Sequence, residues 1–156
     1  MCSSDLQPLV VEALAVIPGT DGRKMSKSYG NTIPLFGSDK EVKKAIMSVV
    51  TDSTPVEAPK NPATCHVFAL LKLFLAPAEL AALSERYLRG GEGYGVYKTL
   101  LLERFHAAFD GFRRRREELA KNLDHVHAVL KSGAERARAT ARAVLRDVQQ
   151  ACGVGP

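Results

Sequence analysis

Pairs of cysteines at metal-ligand spacing are missing from this sequence. Its three cysteines, Cys2, Cys65 and Cys152, are far apart and odd in number. A zinc knuckle needs C-x-x-C pairs and a disulfide framework needs an even set, so neither is indicated, and a reducing cytoplasm is the expected compartment. The four histidines, His66, His106, His125 and His127, show no ligand spacing either. His125 and His127 lie two apart and therefore point to different faces of a helix, so no metal site is expected. No apolar run approaches the ~20 residues that cross a bilayer, and no signal-peptide pattern opens the chain. Internal repeats and low-complexity segments are lacking as well.

What is present suits one ordinary domain or two small ones. The chain has 156 residues, of which 46% are hydrophobic, enough for a real core. Its net charge is +5 and its pI about 9.2, with arginine dominating the last third. Such a balance favours an anionic partner, nucleic acid before membrane.

The densest chemistry lies in Arg23-Lys24-Met25-Ser26-Lys27-Ser28, framed by Pro18-Gly19-Thr20-Asp21-Gly22 and Tyr29-Gly30-Asn31. Two ammonium groups and two hydroxyls stand within five residues, and such a loop can close on polyphosphate. Flanking glycines allow backbone conformations that other residues resist, so the loop can move. Before it, the apolar run from Pro8 to Ile17 predicts a buried strand over Ala13–Ile17 that delivers the loop at its C-terminal end. Ligands bind at that end of open α/β sheets.

The rest reads as helix. Ser38 or Asp39 caps a helix to Val50, with Val42, Ala45, Ile46, Val49 and Val50 as its buried stripe. Residues 54–62 hold Pro55, Pro59 and Pro62 without periodicity and are expected to be a linker. Helices are predicted over 63–75, with Val67, Leu70, Leu71 and Phe74 at helical spacing, and over 77–89, with Leu80, Leu83, Tyr87 and Leu88 inward. A glycine-rich break at 90–95 precedes helices over 96–122, 124–130 and, beyond Gly133, 134–152. Tyr94, between two glycines, reads as shaping a helix start.

The loop Lys24–Ser28 resembles, letter for letter, the KMSKS loop of class I aminoacyl-tRNA synthetases. Further motifs are Val50-Thr51-Asp52-Ser53, Gly93-Tyr94-Gly95 with Lys98, and Gly133-Ala134-Glu135 with Ala137. Together with the loop they resemble the tryptophanyl-tRNA synthetase family from about Glu12 to the C-terminus. The resemblance implies a mainly α chain: the end of a Rossmann-type α/β catalytic domain (7–53, its last strand and the loop), the 54–62 linker, and an α-helical bundle domain facing tRNA (63–156). It implies ATP-dependent activation of tryptophan with Mg²⁺ carried by ATP, transfer to tRNA(Trp), and a cytoplasmic homodimer. Lys24 and Lys27 are the implied catalytic residues. Lys24, Met25, Ser26, Lys27 and Ser28 would meet ATP, and the backbone at Ala15, or Val16 if the register slips, would meet the adenine.

The family's HIGH motif and tryptophan pocket are absent, so a C-terminal fragment is expected, inactive in adenylate formation by itself. The codons for Cys2–Leu6 can be read from a sequencing-adapter sequence, and residues 1–6 are expected to be an artefactual start. Arg138, Arg142 and Arg146 recur every four residues and form one basic stripe, a candidate tRNA contact or a solvated face. Arg113–Arg116 runs directly into Glu117 and Glu118 and reads as a solvated face. Two alternatives stand beside this reading. One is a tyrosyl or other class I synthetase, although the S4-like domain usual after the tyrosyl loop is not seen. The other is a stand-alone helical RNA-binding module with a relic loop, which salt-dependent tRNA binding without ATP dependence would favour.

Overall fold

The computed structural model describes residues 16–154. Their regular elements are helices: α1 (Asp39–Met47), α2 (His66–Leu71), α3 (Pro77–Arg89), α4 (Tyr94–Ala120) and α5 (Leu123–Cys152). A 3-10 turn at Lys27–Tyr29 precedes them. The expected strand over Ala13–Ile17 lies mostly outside the described residues, as does the start at 1–6. Of that strand only Val16 and Ile17 are described, and neither is in a strand. Among the described residues β-pairing is confined to an isolated antiparallel bridge, Pro18 with Lys24.

The chain divides into two compact units, one ending at Asp110 and the other beginning at Gly111. In the first, Ser38 and Glu41 form a capping box: Glu41 N–H donates to Ser38 Oγ at 3.3 Å, and Ser38 N–H to Glu41 Oε2 at 2.7 Å. These bonds satisfy donors that a helix start leaves unpaired, and they set where α1 begins. Val42 and Ile46, four residues apart, put one face of α1 into the core. The helix stops at Met47, short of the expected Val50. The Val50 N–H, instead of continuing the helix, donates to Thr20 O at 2.8 Å, and Val50 itself is exposed while Val49 is buried.

α2 is half the predicted length. Past Leu71 the backbone tightens: Leu73 N–H donates to Leu70 O and Phe74 N–H to Leu71 O, each three residues back. α3 begins at Pro77, where the missing N–H costs nothing. Leu83 and Tyr87 are buried as predicted, but Leu88 is 58% exposed. Gly90 (φ 73°) and Gly91 (φ 84°) take the turn after α3, so α4 starts at Tyr94, inside the predicted break. Tyr97, Leu101 and Phe105 recur every fourth residue and carry the buried face of α4. The Tyr97 ring stacks on Tyr87 with centroids 3.9 Å apart.

Residues 54–62 are irregular, yet they lie within the first unit and are pinned to it. Lys60 is 1% exposed, and its ammonium donates to the carbonyls of Pro55 (3.0 Å), Val56 (3.0 Å) and Ala58 (3.1 Å). Its backbone N–H donates to Tyr87 O at the end of α3, and Gly91 N–H donates to Val56 O. Gly90 has no room for a side chain, because a Cβ there would collide with the Glu57 carbonyl.

The second unit holds the end of α4 and α5. Asn122 caps α5, its Oδ1 accepting from His125 N–H at 3.2 Å, and Gly153 closes it in the left-handed conformation. The two helices predicted either side of Gly133 are one. A mid-helix glycine costs only about 1 kcal/mol against alanine, and the alanines and arginines that follow are strong helix formers.

Substituting Lys60→Met should remove the three charge-assisted bonds that gather the Pro55, Val56 and Ala58 carbonyls. The expected loss is about 1–3 kcal/mol, read as a lower midpoint in urea or thermal denaturation. An unchanged midpoint would mean that the loop holds without the ammonium.

Candidate functional site

The candidate site is the loop from Pro18 to Asn31. Its stem is a short antiparallel pairing in which Met25 N–H donates to Ile17 O (2.8 Å) and Gly19 N–H to Arg23 O (2.7 Å). Gly22 turns the chain at φ 81°, and a Cβ there would run into the His66 ring, so glycine is required twice over.

One buried side chain fills the loop. Asn31 is 2% exposed, and its Oδ1 accepts from Ser26 N–H at 2.8 Å. Its Nδ2 donates to Asp21 Oδ1 at 2.7 Å and to Lys24 O at 3.2 Å. The Asn31 carbonyl also accepts from Thr20 N–H at 2.9 Å. Asp21 in turn accepts from Arg23 N–H (3.0 Å) and Nε (2.7 Å). These donors, the Asn31 amide first and Arg23 after it, hold the Asp21 carboxyl down at about 2.

With its stem held, the loop presents its polar side chains outward. Lys24 and Lys27 are exposed, and Ser26 Oγ lies 2.8 Å from Ser28 Oγ. Gly30, at φ 65°, closes the 3-10 turn that begins at Lys27. Met25 points the other way, half-buried against the core. Lys24, Met25, Ser26, Lys27 and Ser28 thus share one loop with cations on one side and an apolar anchor on the other. Val16 is 64% exposed just before the stem, and Ala15 lies outside the described residues.

A cavity of about 490 Å³ lies beneath the loop, lined by Ile17, Met25, Ile33, Leu70, Phe74 and Phe105 among others, with Lys27 its single charged group. A triphosphate needs several directed donors, and this lining offers almost none. The outer face of the loop suits a polyphosphate better.

Two of the other motifs, Val50–Ser53 and Gly93–Gly95 with Lys98, are tied by hydrogen bonds to the loop, to each other and to the end of α1. Val50 donates to Thr20 of the loop, the Tyr94 hydroxyl donates to Asp52 Oδ1 at 2.8 Å, and Lys98 Nζ donates to Met47 O at 2.9 Å. Burial, with the Asp52 bond behind it, pushes the Tyr94 hydroxyl up to about 12, and burial lowers the Lys98 ammonium. Tyr94 thus starts α4, as expected, and also ties that start to Asp52. Sequence reasoning quoted Asn31 and Asp21 in the motif without a role for either. The available signal was the amide itself, the single side-chain carboxamide in Pro18–Asn31 and able both to donate and to accept.

Arg138, Arg142 and Arg146 all lie on α5 of the second unit and are exposed. No residue of α5 is buried, including Leu145 and Val148. Among the described residues no group of three or more His, Cys, Asp or Glu side chains could hold a metal, and no helix is long and apolar enough to cross a membrane.

Comparison with known proteins places the loop and the helices that follow it in one family. The family model for class I tRNA synthetases (W and Y) matches residues 4–109, and the chain belongs to that family. Within it the similar proteins are tryptophan–tRNA ligases. That of Rhodopirellula baltica is 47% identical over 140 residues, 90% of this chain and 44% of the relative. That of Fusobacterium nucleatum is 42% identical over 148 residues, 95% of this chain and 45% of the relative. The crystal structure of Campylobacter jejuni tryptophanyl-tRNA synthetase complexed with ADP and tryptophan superposes with a TM-score of 0.85 at 43% identity. That superposition covers 94% of this chain and 46% of that one. The chain therefore spans under half the length of the relatives it matches.

The Asp21 carboxylate's contribution to loop stability should be complete above its ordinary value of 3.8 and lost as the pH falls through about 2. The Asn31 side-chain amide resonances, followed by ¹H–¹⁵N NMR, should titrate with that low midpoint. A midpoint near 3.8 would show that the two side chains are not bonded in solution.

Proposed function

We propose that this chain is the C-terminal part of a tryptophan–tRNA ligase, in which residues 7–53 end the catalytic domain and the helices of 63–156 face tRNA. The single observation that carries the reading is the loop itself: the letter-for-letter lysine motif, held on a hydrogen-bonded stem with Lys24 and Lys27 turned to solvent. In this reading the tryptophan carboxylate attacks the α-phosphate of ATP, the bond to pyrophosphate breaks, and the tryptophanyl group is then transferred from the adenylate to a hydroxyl of tRNA(Trp), releasing AMP. Mg²⁺ travels with the nucleotide. The working protein is a cytoplasmic homodimer, as the family resemblance implies.

The part played by the loop follows from where charge moves. As the α–β bridge breaks, negative charge grows on the departing pyrophosphate. Lys24 and Lys27 meet that charge more strongly in the transition state than in bound ATP, and only such a difference accelerates the step. Ser26 and Ser28 donate hydrogen bonds to phosphate oxygens, and Met25 anchors the loop through the apolar core on which it rests. The backbone at Ala15 or Val16, just ahead of the stem, meets the adenine. Arg138, Arg142 and Arg146 supply phosphate contacts to tRNA from the exposed face of α5.

The test uses a chimaera in which this chain replaces the matching C-terminal part of the Campylobacter jejuni enzyme. It should carry out tryptophan-dependent ATP–pyrophosphate exchange, and a chimaera without exchange would overturn the reading. In it, Lys27→Ala should slow single-turnover adenylate formation by about ten- to a few hundred-fold, the worth of one hydrogen bond to a charged group. The ATP dissociation constant should move little. Tenfold weaker ATP binding with an unchanged chemical rate would make Lys27 a ground-state clamp instead.

Replacing Arg138, Arg142 and Arg146 together by Gln should weaken tRNA binding and flatten its dependence on salt, with amino-acid activation nearly intact. An unchanged salt slope would return the stripe to a solvated face.

A further inference from the structure

We propose that Asn31 is a positioning residue for adenylate formation: its buried carboxamide fixes the backbone from which Lys24 and Lys27 project. The proposal rests on the reading of the loop as the phosphate-binding element. The carboxamide lies inside the loop and bonds at three separate points, Asp21 Oδ1, the Lys24 carbonyl and the Ser26 N–H. The last two flank Met25, so one rigid planar group sets the path of the chain from Lys24 to Ser26. Lys27 follows at once and begins the 3-10 turn. A shift in this frame displaces both ammonium groups together, and a displacement of about 1 Å from productive geometry can cost two orders of magnitude in rate.

The chemistry of the site admits one side chain. The position must accept one hydrogen bond and donate two, which an amide does and a carboxylate or hydroxyl does not. Aspartate here would lose both donations and set a second carboxylate against Asp21, whose own charge is already favoured. Gly19 confirms how closely the amide is enclosed, since a Cβ on Gly19 would collide with Asn31 Nδ2. Asn31 touches neither Lys24 Nζ nor Lys27 Nζ, so its effect on chemistry passes through the loop backbone.

Three variants test this: Asn31→Ala, Asn31→Asp, and Asn31→Asp combined with Asp21→Asn, which returns one amide–carboxylate pair in reversed order. In the chain as it stands, trypsin should cut after Arg23, Lys24 or Lys27 faster in both single variants than in the parent. In the chimaera, both should slow single-turnover adenylate formation about tenfold or more, with the ATP dissociation constant changed by about twofold or less. The double variant should recover part of the rate lost by Asn31→Asp, a rescue that general destabilisation does not produce. Faster cleavage with an unchanged adenylate rate would overturn the proposal, since Asn31 would then only shape the loop. Unchanged cleavage would overturn it too, by showing that the amide does not hold the loop. Lys27→Ala is the control that separates the two ideas. If it leaves the rate intact, the reading of the loop has failed and the positioning role falls with it. If it slows the rate while the Asn31 variants do not, the positioning role alone has failed.

Discussion

The bond from Val50 N–H to Thr20 O joins residues thirty positions apart and ties the end of α1 to the loop. It ends α1, turns the chain out of the helix, and fastens the segment that follows to the stem of the lysine loop. Everything that steadies the loop from outside it then follows in sequence. Asp52, two residues on, receives the Tyr94 hydroxyl, and Lys98 one turn further along α4 reaches back to the Met47 carbonyl. The core of the first unit adds Tyr87 stacked on Tyr97. Exposed cations on a loop would otherwise be free to wander, and here their backbone is tied through three bonds to the longest helix of the first unit.

Two kinds of restraint act on the loop and differ in their physical character. The outer one, through Val50 and Gly22 against His66, is largely steric and backbone-made, and it fixes where the loop leaves the core. The inner one is a network of directed polar bonds around the buried amide of Asn31, which would be costly to leave unsatisfied. Between them the loop keeps its lysines exposed while its backbone is ordered by other groups. Ordering a loop before it meets any ligand lowers the entropy cost of that encounter.

The sequence made the helical class, the capped start of α1, the Pro77 start of α3 and the lysine loop legible, each through local chemistry: caps, proline geometry, or charged residues at fixed spacing. What it hid depended on contacts between distant residues. Val50 looked like a continuation of the α1 stripe, and only its pairing with Thr20 takes it out. Leu88 fitted the helical period of α3 but falls beyond the face that Leu83 and Tyr87 bury. The prolines of 54–62 read as a linker, because nothing local reveals that Lys60 will fold back over three carbonyls. Gly133 looked like a break, since its modest cost is outweighed by neighbours that all favour helix. Asn31 was visible as a letter of the motif, but its partner Asp21 lies ten residues away and sequence spacing does not reveal the pairing.

The helical path of α5 from Arg138 to Arg146 shapes the arginine stripe. A residue every four positions on a helix of 3.6 residues per turn advances about 40° around the axis at each step. Arg138, Arg142 and Arg146 therefore fan across about 80° of the helix circumference while rising about 12 Å along it. A flat anionic surface laid on α5 meets two guanidinium groups at a time. The three guanidinium groups follow a path that curves around the helix axis as it climbs, so the stripe has a handedness.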